Sequence, residues 1–323
     1  MILGVRMVLE KLGIEGDYSR WLKSYKRHLK YKEISQNTSI LYMRILNALE
    51  IYLLTREYLC ILSDLDKEVF LDFIEYQEEK SKHGVFSKKT KQLYVSVLKS
   101  FFVYISDNND SFYTFENEFK MPIKGANKSK KVKYLSDMEV QTIIEYLDIQ
   151  SQSRGSYYDY IYAFGIKLML FAGLRISEVL NLKMQDFQLS QLLDMQGRQD
   201  MYEIHLAHTK AGEEQTALIK VLDIEKELQF FRDISSKECF IFLSSKNKKP
   251  IHRSNFYISV KNIMQKAGLD KKGLHIYRHT CAMQLYRKSK DILVTKEKLR
   301  HSDIKTTMIY AKAEKNDIAK AMR

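Results

Sequence analysis

A chain of 323 residues, 45% of them hydrophobic, is long enough for two domains that each bury a core, which excludes wholesale disorder. Its 53 Lys and Arg against 40 Asp and Glu leave a formal charge of +13, which suits a polyanionic partner such as nucleic acid, although charge alone allows a merely well-solvated surface. The longest apolar run, Ile161 to Leu174, is broken by Lys167 and falls short of the ~20 residues a bilayer requires, and the N-terminus lacks a signal-peptide pattern, so the expectation is a cytoplasmic protein without a membrane partner.

Two prolines and 12 glycines leave few helix breakers, which points to a mainly α fold. Amphipathic stretches run over Tyr18 to Tyr31, Ser39 to Arg56, Lys67 to Lys80 and Lys88 to Ser106. In the last, Leu93, Val97, Leu98, Phe101, Phe102 and Ile105 share one face while Lys88, Lys89, Lys91 and Lys99 charge the other. Four such helices make a small bundle, the first domain, over residues 1–119. The segment from Lys120 to Lys133 holds six lysines and no acid, with a Pro and a Gly, and reads as a basic linker; its Lys128, Lys130, Lys131 and Lys133 could track a phosphate backbone.

A second domain, residues 134–323, opens at Ser136, which is spaced from Glu139 as in a capping box. Tyr157 to about Ala172 is nearly all apolar and reads as a buried helix. Between Asp200 and Lys220 the period changes, and "MYEIHLAHTK", "AGEE" and "QTALIKV" read as a β-hairpin. Helical patterns return at Ile224 to Arg232, Arg253 to Ala267, His275 to Lys288 and Asp291 to Leu299. A further helix over "SDIKTTMIY" is capped by Ser302 or Asp303. The second domain is therefore mostly α with one small sheet.

Three groups of residues could carry chemistry. In "AGLRISEVLNL", Arg175 opens a helix after Gly173, and a guanidinium beside free backbone N–H groups favours a phosphate or carboxylate; Glu178, one turn on, can hold that guanidinium, or the two form an ordinary structural pair. In "LHIYRHTCAMQLY", His275 and Arg278 share a face, as a phosphate oxygen would require. His275 and His279 are four apart and could bind zinc, but the glutamate of the metalloprotease pattern is missing and no further ligand follows at suitable spacing. Cys60, Cys239 and Cys281 are scattered and unpaired in spacing, which fits a reducing compartment. The third group is "LRHSDIKTTMIY", where Tyr310 follows His301 by nine residues. A free tyrosine is about one part in a thousand ionised at pH 7, so a nucleophilic Tyr310 needs cations or a base beside it.

In this order, "AGLRISEVLNL", a hairpin bearing "HTK", "LHIYRH" and "LRHSDIKTTMIY" resemble the tyrosine site-specific recombinases, most closely the Xer type. The resemblance implies a helical, core-binding (SAM-like) first domain and a catalytic second domain. Residue by residue it implies Tyr310 as the nucleophile that forms a 3′-phosphotyrosyl link. Arg175 and Arg278 bind the scissile phosphate, Lys210 is general acid to the departing 5′-oxygen, His275 accepts the tyrosine proton and His301 donates to the phosphate. Glu178 supports the arginine, and neither metal nor other cofactor is needed. Arg300 stands where the family generally has glycine, so either the turn is built differently or Arg300 contacts DNA. The implied partners are double-stranded DNA at a specific site, further copies of the chain in a tetramer joined through the C-terminal tail, and an accessory DNA translocase. The implied role is resolution of chromosome dimers, with integration or excision of a mobile element as the second possibility. A non-cleaving DNA-binding relative and a type IB topoisomerase are the alternatives outside that class.

Overall fold

The computed structural model describes residues 14–55, 62, 65–82, 84–109, 115, 132–153, 155–207, 214–234, 239–244 and 249–311. The chain divides into two compact units, Met1–Ser129 and Lys130–Arg323. No helix among the described residues is long and apolar enough to cross a membrane.

The first unit is built from α1 (Ile14–Tyr31), α2 (Gln36–Leu54), α3 (Lys67–Glu79) and α4 (Lys88–Asn108). Side chains just ahead of three of these helices fix where they begin. Ser35 accepts from the Thr38 amide, Asp66 from Val69 and Ser87 from Thr90, each satisfying a backbone donor that the first turn leaves free. Helix α2 therefore starts earlier than hydrophobic periodicity indicates. Tyr18, Tyr25, Leu46, Leu49, Phe70, Phe73, Phe101 and Phe102 fill the core. The tyrosines there keep their hydroxyls paired, Tyr18 donating to the Leu46 carbonyl at 2.9 Å and Tyr25 meeting Ser100 Oγ at 2.7 Å.

In the second unit, α5 (Asp137–Ser153) begins with the expected capping box: the Ser136 amide donates to Glu139 Oε2 at 2.7 Å and the Glu139 amide to Ser136 Oγ at 3.3 Å. Helix α6 (Tyr157–Phe171) is the central buried element. Its one interior charge, Lys167, is neutralised where it sits, at 2.7 Å from Glu227 and 3.1 Å from Asp148. That pairing is why a helix so apolar can carry a lysine in its middle. The turn after α6 leads into the short α7 (Ile176–Leu180). An antiparallel sheet follows in the order β1 (Phe187–Leu189), β2 (Met201–Leu206), β3 (Gln215–Lys220), with Ile204 opposite both Phe187 and Ala217. The hairpin β2–β3 is as expected, whereas β1 adds a third strand that three residues of sequence could not announce.

Helices α8 (Val221–Ile234), α9 (Arg253–Lys266), α10 (His275–Ser289), α11 (Ile292–Leu299) and α12 (Met308–Ala311) complete the unit. Phe164, Phe231, Phe242, Phe256, Ile204 and Leu228 are fully buried around α6. Gly165 lets Phe256 approach the backbone of α6, since a Cβ there would lie 2.5 Å from the Phe256 ring. The stretch read as one helix after His301 is instead a 3₁₀ turn over Ile304–Thr306, capped by Asp303 on the Lys305 amide, and then the short α12.

Candidate active site

Three segments that are distant in sequence meet where α6, α10 and α11 end or begin. Gly173, at φ +65°, turns the chain out of α6 in a conformation that other residues rarely adopt, and a Cβ there would press on Leu299 at 3.1 Å and Cys281 at 3.3 Å. The turn puts Arg175 at the N-terminus of α7. The Arg175 amide donates to Glu178 Oε2 at 2.7 Å, and its Nη1 donates to Glu178 Oε1, also at 2.7 Å. One of the backbone N–H groups at this helix start, that of Arg175, is thus occupied by Glu178, while a quarter of the Arg175 side chain remains exposed.

Arg278 projects from the first turn of α10 and is 5% exposed. Its two terminal nitrogens donate to the carbonyls of Gly173 and Leu299, and Nη1 lies 4.0 Å from Glu178. Burial first, then the neighbouring Arg175 and Arg300, push its pKa down to about 9, so it is charged at neutral pH. Burial opposes the charge of Glu178, but Arg300 and Arg175 outweigh it and hold the carboxyl below its usual range.

Arg300 closes α11 in the left-handed conformation, φ 53° and ψ 50°. The turn therefore has the geometry a glycine would supply, made here by an arginine. The Arg300 side chain is 6% exposed, and its Nη2 is 2.9 Å from Glu178 Oε2. Charge pairing draws it inward.

His301 follows this turn, with Nδ1 2.9 Å from Thr307 Oγ1. Burial, then Arg278, Arg175 and Arg300, push His301 down to about 4, so it is neutral at pH 7. His275, at the exposed start of α10, is lowered by partial burial and by Arg253, Arg278 and Arg175. His275 and His301 thus each lie within electrostatic reach of both Arg175 and Arg278.

Tyr310 is 1% exposed and packs with Ala282, Met283 and Leu299. Its hydroxyl sits 2.8 Å from Nδ1 of His279. None of the four groups expected to activate it is hydrogen-bonded to it, although the charge of Arg278 reaches it. Burial dominates and raises Tyr310 to about 12. His279 is the residue that sequence reasoning missed, because it drew notice only as a possible metal ligand. Burial, then His275 and Arg278, lower it to about 4. The pair at Tyr310 is therefore neutral phenol against neutral imidazole.

Lys210, Lys128, Lys130, Lys131 and the tail 312–323 lie outside the described residues. Lys88, Lys89 and Lys133 are exposed. Lys91 is 2.7 Å from Glu78, so its ammonium already has a carboxylate partner.

Comparison with known proteins adds the family. Residues 133–317, more than half of the chain, match the model described as the phage integrase family. The tyrosine recombinase XerH of Helicobacter pylori is 28% identical over 273 residues, covering 80% of this chain and 70% of that protein. XerH of Campylobacter jejuni is 25% identical over 261 residues, with 77% and 68% covered. The tyrosine recombinase XerD of Rickettsia prowazekii is 28% identical over 307 residues, with 91% and 92% covered. Among solved structures, XerH bound to a palindromic difH substrate after cleavage has a TM-score of 0.71 at 22% identity, covering 93% of this chain and 83% of that one. The Tn1549 transposon integrase with circular intermediate DNA has a TM-score of 0.64 at 18% identity, covering 94% and 99%. At those identities the structural likeness is one of fold. Together with the family match over the unit that holds Arg175, Arg278 and Tyr310, it places the chain in the phage integrase family, as a tyrosine recombinase of the Xer type.

Proposed function

We propose that this recombinase cleaves and rejoins double-stranded DNA at one specific site, with Tyr310 as nucleophile. The observation that carries the reading is the meeting of Arg175 and Arg278 at the Glu178 carboxylate, with His301 within electrostatic reach of both arginines and the charge of Arg278 reaching Tyr310. In the reaction, the phenol loses its proton to a neighbouring histidine, His275 by the resemblance or His279, whose Nδ1 is 2.8 Å from the hydroxyl, and its oxygen attacks phosphorus. The bond from phosphorus to the 5′-oxygen then breaks, and the 5′-oxygen leaves with a proton supplied by Lys210. A 3′-phosphotyrosyl link and a free 5′-hydroxyl result, and reversal with a new 5′-hydroxyl rejoins the strand without an outside energy source. Arg175, Arg278 and His301 stabilise the charge that gathers on the non-bridging oxygens, and Glu178 holds Arg175 in register.

Tyr310→Phe tests this directly. On a nicked suicide substrate carrying the site, wild-type protein is expected to yield a covalent protein–DNA adduct and the variant none, with equal DNA binding in a gel shift. Equal adduct from the variant removes Tyr310 from the chemistry.

The cellular role that fits a Xer-type chain is resolution of chromosome dimers in the cytoplasm, by a tetramer joined through C-terminal tails and prompted by a DNA translocase. A plasmid carrying two direct copies of the site should resolve into two circles. Efficient insertion of a circular element into an unpaired target, with no resolution, supports the mobile-element role instead.

A further inference from the structure

Arg300 is placed where backbone geometry disfavours it and where the resemblance to relatives has glycine. Its φ of 53° is in the left-handed region, shared among described non-glycine residues only with Glu33 and Lys290. The side chain is folded into the protein, 6% exposed, rather than released to solvent. Nη2 meets Glu178 Oε2 at 2.9 Å, Nη1 donates to the Lys298 carbonyl at 3.1 Å, and Nε is buried without a hydrogen-bond partner. The Arg300 carbonyl accepts from Arg175 Nη2 at 3.4 Å. Burying a guanidinium in a disfavoured conformation with one donor unsatisfied is unfavourable, and Glu178 is already bonded by the amide and Nη1 of Arg175. Simple neutralisation of Glu178 therefore does not account for Arg300.

Charge does. Among the groups gathered on Glu178, Arg175 and Arg278 leave one net positive charge. With Arg300, three guanidiniums face the one carboxylate and leave two. Attack of a phenolate on a phosphodiester monoanion makes a pentacoordinate phosphorane with two negative charges. A pocket that matches the second state better than the first lowers the barrier rather than merely tightening binding.

We propose that Arg300 is a positioning residue that adds a third buried guanidinium behind Glu178 and Arg175, so that the pocket stabilises the phosphorane more than the resting phosphodiester. This rests on the recombinase reading above. Arg300 acts through Glu178 and Arg175 and does not itself touch the phosphate.

The test measures single-turnover adduct formation by wild type, Arg300→Gly and Arg300→Lys on two suicide substrates. One has a normal scissile phosphate; the other has a methylphosphonate there, which replaces one charged oxygen by a methyl group. Gel shifts and thermal melts are run alongside. Arg300→Gly is expected to slow cleavage of the phosphodiester by about 10- to 100-fold with unchanged DNA affinity, less than the roughly 100- to 1,000-fold that loss of a direct oxyanion donor costs, because Arg300 acts from behind Glu178 and Arg175. Arg300→Lys should recover most of that loss. On the methylphosphonate, attack also adds one negative charge, from none to one, so Arg300→Gly should lose a similar factor there. An undiminished rate for Arg300→Gly on the phosphodiester overturns the proposal. So does an Arg300→Lys variant that melts like wild type yet cleaves as slowly as Arg300→Gly, which marks a role other than charge, or weakened DNA binding with an unchanged rate, which marks a DNA contact. Failure of wild type to form any adduct overturns the recombinase reading as well, and so is distinct from failure of Arg300 alone.

Discussion

At Tyr310 the structure holds a nucleophile in a protonated, sheltered state. With its pKa near 12, forming the phenolate at pH 7 costs about 7 kcal/mol, five units at ~1.36 kcal/mol each. The site as folded therefore restrains the phenol, and the proton must leave in concert with attack. The histidines around it make stability depend on pH. His279 and His301, both lowered to about 4, stay neutral in the folded chain while the unfolded chain takes up protons below about 6.5. Their contribution is complete above that pH and is lost as pH falls toward 4. Melting temperature should drop from pH 7 to pH 4.5, and His279→Gln or His301→Gln should flatten the drop; parallel curves for wild type and variants would contradict the assignment. Tyr310, Arg175, Arg278 and His301 were legible through the order of several local motifs and the family resemblance that this order carries. His279 was not, since its partner lies 31 residues away, across a helix contact that no local pattern encodes.

Packing of whole elements rests on a few close approaches. Gly165→Ala would drive a Cβ to 2.5 Å from Phe256, on the face where α6 and α9 meet. A loss of about 1–3 kcal/mol is expected in denaturant unfolding, as for other overpacked cores, and no loss would mean that α9 can slide. Lys167→Met leaves Glu227, which is fully buried, without its cation. That should cost about 3–5 kcal/mol, and the double change Lys167→Met with Glu227→Leu should recover most of it. If the double variant is no better than the single one, the pair is not the source of the loss. Helical periodicity announced most helices of the second unit and the hairpin β2–β3. It could not announce β1, whose three residues exist as a strand only because β2 lies alongside. Nor could it show that Lys167 would be matched by acids on two other helices, 19 and 60 residues away.

For the molecule as a whole, a formal charge of +13 predicts DNA affinity that falls steeply with salt. A protein neutralising six or more phosphates should lose about a thousandfold in affinity between 50 and 200 mM salt, and a shallow slope in filter binding would argue against a broad phosphate footprint. The division of the chain between Ser129 and Lys130 falls inside the lysine-rich segment that composition singled out. Within the second unit, Arg278 grips the carbonyls of Gly173 and Leu299 and so fastens two chain reversals to each other. An inert Arg278→Ala protein would therefore be ambiguous: removing the side chain strands two carbonyls at once and loosens the frame that aims Arg175 and His301. Lysine, with a single ammonium, cannot bridge both in the same way, so even this charge-preserving swap must be judged by its melting curve before its activity is read as chemistry.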